Sequence, residues 1–371
     1  MQVKNQDIFE LLEEFCPLEL AQEWDNCGLQ VGNPNKPVDR ILLALDIDDE
    51  VMSEVEKRRA SLVVTHHPLL LKGVRQIRED VDPGRLITRI IRSGITVYAA
   101  HTNLDSANPG VNSILAEKLN LTDLQMLMPQ CQKFFKLALF VPPDHVDRVR
   151  DALSKAGAGW IGNYSHCTFM VEGTGTFKPL QGANPYIGEV GALEKVEEVR
   201  LETIVPERLV KTVLEAMRTA HPYEEVAYDL YPLENRQKDI GLGRIGRLKV
   251  PLTMGDFVSM VKERLGLSAV RSGGMVDRVI HKVAVCGGSG SDLWPLALAS
   301  GADVLVTGDI RYHGARDMLT AGLSFVDAGH YGTESIVLEP LAEYLRARCQ
   351  EKGFEVEVLV TEVNGDPFQY R

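Results

Sequence analysis

The sequence predicts an α/β protein: a split core with mostly parallel sheets, interrupted by a ferredoxin-like α+β insert. Three observations predict it. Short apolar runs bounded by polar residues alternate with charged, helix-periodic stretches at both ends of the chain. A different pattern, strand–Val-Pro–helix, occurs twice in the middle. The length, 371 residues, exceeds what one small core uses. The boundaries fall at 1–128 for a first core lobe, 129–243 for the insert and 244–371 for a second core lobe that completes the candidate site.

In the first lobe, residues 41–46 (ILLALD), 61–65 (SLVVT) and 95–100 (ITVYAA) are apolar runs with the look of buried parallel strands. The second lobe repeats the style at 282–286 (KVAVC), 303–307 (DVLVT) and 323–327 (LSFVD). An amphipathic helix follows over 333–349, with Pro340 marking a kink or break. In the insert, 136–141 (KLALFV) leads through Pro142 to a helix over 144–156. Likewise 199–205 (VRLETIV) leads through Pro206 to a helix over 207–220. Strand-like segments at 164–172 and 225–233 complete a β-α-β, β-α-β order, which is that of a ferredoxin-like unit. Between the halves, GTGTFKPLQGANPYIGEVG is rich in Gly and Pro and reads as a long loop or bent hairpin.

Composition narrows the function. About 44 % apolar and 25 % charged residues make a globular chain. A net charge of −12 speaks against a broad nucleic-acid surface, which needs clustered Lys and Arg. No apolar run is long enough to span a membrane. The N-terminus, MQVKNQDIFELLEEF, is charged and helix-periodic rather than a secretory signal, so the expectation is cytoplasmic. Cys16, Cys27, Cys131, Cys167, Cys286 and Cys349 form no CxxC pair and read as reduced, largely buried thiols.

The chemistry is concentrated where strands end, the position at which open parallel sheets bind ligands. SLVVT runs into His66-His67. ITVYAA runs into His101, with Asp105 four residues on. LSFVDA runs into Gly329-His330, with Glu334 four residues on. Adjacent residues at a strand end diverge, so His66 and His67 suit two neighbouring ions better than one. His330 and Glu334, spaced i, i+4 at a helix start, converge on one spot. Imidazole with carboxylate fits zinc, iron, manganese or nickel rather than calcium. The bland readings stay open: strand-end histidines are often structural, Asp105 lies among turn formers, and Glu334 suits any helix N-terminus.

Weaker candidates surround these. WDNCGLQVG at 24–32 reads as a loop from which Asp25 and Asn26 reach the site. TGDIRYHGA carries Asp309 and His313 at i, i+4, a spacing that suits metal, substrate or supporting contacts equally. CGGSGSD at 286–292 is a Gly-rich turn without the Lys-Ser/Thr of a phosphate loop. HPYEE at 221–225 reads as a Pro-stiffened turn after a helix.

In this order, WDNCGLQVG, VTHHPL, AHTNLD, TGDIRYH and DAGHYGTE resemble the Nif-three-like (YqfO/YbgI) family, whose members are called homologs of GTP cyclohydrolase I type 2. The resemblance covers both outer segments. It implies a dinuclear metal centre facing the cavity of a toroidal homohexamer. Its ligands would be His66, His67, Asp105, His330 and Glu334, with Glu334 bridging and His101 beside them. The middle segment is similar to the PII/CutA-like insert of longer bacterial members. The expected cofactor is two divalent ions, zinc ahead of iron, manganese or nickel.

Two functions follow. One is a metal-dependent, cyclohydrolase-like hydrolase acting on a nucleotide or similar small molecule, with His101, Asp309 or His313 moving protons. The other is a non-catalytic, metal-binding regulatory hexamer whose insert senses a small molecule. The residues alone do not choose between them.

Overall fold

The computed structural model describes residues 2–130, 133–162, 164–235 and 240–369. In chain order, the strands before the middle segment are β1 (Gly28–Val31), β2 (Arg40–Ala44), β3 (Leu62–Thr65), β4 (Thr96–Ala99) and β5 (Leu121–Pro129). The middle segment holds β6 (Phe134–Val141), β7 (Thr168–Phe177), β8 (Glu194–Pro206) and β9 (Tyr228–Leu233). After it come β10 (Gly241–Thr253), β11 (Arg271–Gly273), β12 (Val279–Val285), β13 (Val304–Thr307), β14 (Ser324–Asp327) and β15 (Glu357–Val360). The chain divides into two compact units, Met1–Gln130 with Asp239–Arg371, and Cys131–Lys238. Cys131 lies outside the described residues.

The first unit contains two sheets. One has the order β1-β4-β3-β2-β15, with β15, β2, β3 and β4 running parallel. The other has the order β11-β14-β13-β12-β10-β5. There β12, β13 and β14 run parallel, while β5, β10 and β11 pair antiparallel. The mostly parallel expectation thus describes the first sheet and only the centre of the second. The reason is β10, which returns antiparallel alongside β12 and pairs on its other side with β5.

Both sheets are covered on both faces, which is why their central strands read as unbroken apolar runs. In the first, Ile41, Leu43, Leu62 and Val64 face the helices Asn5–Phe15 and Leu338–Lys352, while Leu42, Ala44, Val63 and Val97 face Asp49–Arg58 and Gly84–Ser93. In the second, Val283, Val285, Val304 and Val306 pack on Val111–Lys118 and Met254–Leu265. Each such side chain contributes roughly 1.5–3 kcal/mol by leaving water. A few of them outweigh any local helix propensity, so the strands are fixed by burial. Local signals then set the helix ends: the Asp48 carboxylate accepts from Val51 N–H at the start of Asp49–Arg58.

Two local expectations change. Residues 28–31, read as loop, form the edge strand β1, antiparallel to β4 and too short to show a period. The single helix expected over 333–349 is broken upstream of Pro340. His330–Glu334 is a short helix, Ser335–Val337 a 3-10 turn, and Leu338–Lys352 a fresh helix. Pro340 sits in its first turn, where a missing N–H costs little.

In the second unit β6, β7, β8 and β9 form an antiparallel sheet of order β7-β8-β6-β9. The helices Val146–Lys155 and Val210–Ala220 pack against it through Leu139, Val149, Leu201, Val213 and Met217. Each is reached through Val-Pro and a 3-10 turn, as the repeat in the sequence suggests. β7 and β8 pair as a hairpin joined by a loop over 178–193.

Candidate metal centre

Five parallel strand ends of the first unit, joined by a sixth from the turn after β12, surround one cluster. Beyond β2 lies Asp46, beyond β3 His66 and His67, and beyond β4 His101. Beyond β12 lie Gly287 and Gly288, beyond β13 Asp309, and beyond β14 His330. Gly329, at φ 77°, lets the chain turn from β14 directly into the helix His330–Glu334. That helix sets His330 and Glu334 on one face, and Glu334 is buried.

Four imidazoles are held the same way. His66 Nδ1 lies 2.8 Å from the Ala100 carbonyl oxygen. His67 Nδ1 lies 2.9 Å from Asp46, His101 Nδ1 2.9 Å from Asp25, and His330 Nδ1 2.7 Å from Asp309. Each partner only accepts, so each Nδ1 carries a proton and donates it. In a neutral ring this leaves Nε2 as a lone pair, the form a metal binds.

The free nitrogens converge. His67 Nε2 and His330 Nε2 are 3.0 and 3.1 Å from Glu334 Oε2, and 3.3 Å from each other. His66 Nε2 is 3.7 Å from Glu334 Oε1 and 3.6 Å from Asp105 Oδ1. Three overlapping groups keep their ligand atoms within 4.8 Å of one another: His67, His330 and Glu334; His66, Asp105 and Glu334; and His66, His67 and His101. Each is a cluster able to bind a metal ion. The first two share Glu334 alone, which offers a different oxygen to each.

Two observations fit a cation to this cluster. His66 Nε2 and Asp105 Oδ1 are buried without a hydrogen-bond partner, an arrangement that costs about 1–3 kcal/mol per atom unless something satisfies both. Gly288, at φ 60°, makes the room: a Cβ there would stand 2.1 Å from Glu334 Oε1 and 3.2 Å from His330 Nε2.

The electrostatics agree. Burial opposes charge on His67, but its hydrogen bonds to the Asp46 and Glu334 carboxylates push its pKa up to about 10. Glu334 and Asp309 raise His330 to about 9 against its burial. His66 is raised too, since Glu334 and Asp105 outweigh its desolvation. Burial would raise Glu334, yet His66, His330 and His67 hold it well below the usual carboxylate range. Burial raises Asp105 to about 6. The cluster therefore demands positive charge, which protons supply when no metal does.

The structure brings His66, His67, Asp105, His330 and Glu334 together, with His101 against them. Asp309 supports His330 from behind and also accepts from Ser289 Oγ at 2.7 Å. His313 is not brought in. It is exposed and packs on Tyr312, 5.3 Å between ring centres. The i, i+4 reading of Asp309 and His313 fails because the helix begins only at Tyr312, while Asp309 occupies a left-handed turn at φ 55°. Asp25 is central rather than peripheral, its side chain fully buried between His101 and Thr102 N–H. Asp46 closes the run ILLALD, so it too stands at a strand end, and it holds His67. Arg244 carried no signal at all. It is buried and donates to the carbonyls of Gly241, Gly243 and Ala107, the last just beyond the helix that bears Asp105.

Comparison with known proteins follows the same lines. The model of the family described as Duf34/NIF3 (NGG1p interacting factor 3) matches residues 3–367. A Bacillus subtilis (strain 168) protein named GTP cyclohydrolase 1 type 2 homolog is 45% identical over 369 residues, 99% of each chain. The crystal structure of a Bacillus cereus protein related to NIF3 matches with a TM-score of 0.80 at 43% identity, covering 100% of both chains. A Staphylococcus aureus crystal structure matches with a TM-score of 0.79 at 30% identity, covering 100% of this chain and 99% of the other. The chain belongs to the Duf34/NIF3 family.

Proposed function

We propose that the protein holds two divalent metal ions at this cluster and uses them to hydrolyse a nucleotide or a similar small molecule. The observation that carries the reading is the pairing of four Nδ1-anchored imidazoles with a buried carboxylate whose two oxygens serve different trios. His67, His330 and Glu334 would hold one ion, and His66, Asp105 and Glu334 the other. The donor set suits zinc ahead of iron, manganese or nickel. Bound there, a pair of cations supplies an acidified water and polarises the bond under attack.

The chain's own groups do the rest. Asp46 and Asp309 fix the tautomers of His67 and His330. His101, held by Asp25 through Nδ1, keeps its other nitrogen at the cluster to take or give a proton. A cavity of about 430 Å³ opens beside Asp309 and Ser289 and is lined by Arg271 and Arg311. Arg311 and Arg271, the latter paired with Asp327, would meet the phosphates of a nucleotide there, with Asp292 in the same lining. The names of relatives as GTP cyclohydrolase 1 type 2 homologs make GTP a first substrate to try.

We read the second unit as a ferredoxin-like insert, on its strand order and its paired β-α-β halves. We further place the protein in the cytoplasm as a toroidal homohexamer, as the family resemblance implies. Among the described residues no helix is long and apolar enough to cross a membrane. The test is turnover: metal-loaded protein, purified without a chelating tag, is screened against GTP, other nucleotides and phosphoesters. Activity above that of the His67→Ala, Glu334→Ala double variant is expected. Equal rates for the two proteins would sink the hydrolase reading.

A further inference from the structure

Two segments of the second unit take no part in the metal cluster: the Gly- and Pro-rich stretch 173–191 and the HPYEE turn at 221–225. They meet. Asn184 N–H donates to the Glu224 carboxylate at 2.9 Å, tying the loop to the turn. Between them lies a cavity of about 510 Å³, within the range of small-molecule sites. Its lining is aromatic. The Tyr223 ring stands 6.2 Å from Phe177 and 6.1 Å from Tyr186, centre to centre, and Phe140 contributes from β6.

Polar groups line this cavity beside its aromatic faces. The Tyr223 hydroxyl is buried, and the polar group that faces it is Glu198. Glu198, on β8, lines the same space with no cationic partner among the described residues. Its carboxylate reaches in only because residue 175 is glycine: a Cβ there would stand 1.9 Å from Glu198 Oε2. Burial, with Glu198 next to it, raises the Tyr223 phenol, so Tyr223 presents a neutral hydroxyl. Glu224 and Glu225 at the rim add negative charge, against Lys178 alone.

We propose that this cavity is a binding site for a small organic cation, an amine or N-alkylated heterocycle. The aromatic faces of Phe177, Tyr186 and Tyr223 attract the cation, Glu198 neutralises it, and the Tyr223 hydroxyl accepts or donates the orienting hydrogen bond. The site shares no residue with the clustered metal-ligand side chains.

Benzyltrimethylammonium is a suitable probe, with benzoate as the anion of similar shape, both titrated calorimetrically against the full chain. Saturable binding of the cation and none of benzoate is expected. Glu198→Gln, which keeps the side-chain shape, should weaken the cation roughly tenfold or more. Tyr186→Ala, at the exposed side of the cavity, should also weaken it, with the thermal midpoint of both variants near that of the parent. The proposal is overturned if the cation fails to saturate up to millimolar concentration, if benzoate binds as well, or if Glu198→Gln leaves the affinity unchanged.

Discussion

Asp46, Asp309, Asp25 and the Ala100 carbonyl settle which nitrogen of each imidazole carries a proton, and the rest of the site depends on that choice. Asp309→Asn keeps the shape but allows the amide to donate to His330 Nδ1, reversing the tautomer. Metal affinity should fall roughly 10–100-fold with the fold intact, measured by competition with a chromogenic chelator. The same groups fix the pH response. With His67 near 10 and His330 near 9 in the folded chain, both stand above their ordinary value of 6.5. The stability they lend the metal-free protein is complete below about 6.5 and is lost as pH rises through 9 and 10. The thermal midpoint of chelator-treated protein should therefore fall between pH 6.5 and 9. Metal competes with those protons, so the increment that added zinc gives should grow over the same interval. A metal-free midpoint that rises across this range contradicts the assignment of protonated imidazoles.

At the scale of elements, the site is a property of strand ends, and this part was legible in the sequence. Apolar runs ending in His66-His67, His101 and His330 expose the pattern because burial on both faces makes the strands continuous. The supporting residues were not legible, for physical reasons. Gly288 matters through a side chain 46 residues away, Asp25 through a ring 76 residues away, and Arg244 through a carbonyl 137 residues away. No local period encodes such contacts. Asp309 and His313 misled because i, i+4 has meaning only inside a helix, and that helix starts after Asp309. Two substitutions probe the supports. Gly288→Ala places a methyl against Glu334 at a left-handed position, so it should cost about 1–3 kcal/mol of stability and displace the carboxylate from the cluster. Thermal melts and metal titration read the two effects. Arg244→Met removes the guanidinium that donates to three buried carbonyls, and about 3 kcal/mol of destabilisation by urea unfolding is expected.

Across the whole molecule, the candidate metal cluster and its six strand ends belong to one unit, and among the described residues the middle segment contributes none of the clustered side chains. The points where the first unit leaves off and resumes are adjacent, since Gln130 N–H donates to the Ile240 carbonyl at 3.0 Å. Replacing 131–238 by a short Gly-Ser linker should leave a folded protein with its metal sites intact and without the organic-cation site. Loss of metal binding in a well-folded deletion would show that the cluster depends on the insert. The most direct test of the central claim is the metal content of the full chain, purified without a chelating tag and measured by mass spectrometry. About two divalent ions per chain are expected, falling to none or nearly none in Glu334→Gln, because one carboxylate serves both positions. Metal-free protein that takes up no zinc on titration, or an undiminished metal content in Glu334→Gln, would contradict it.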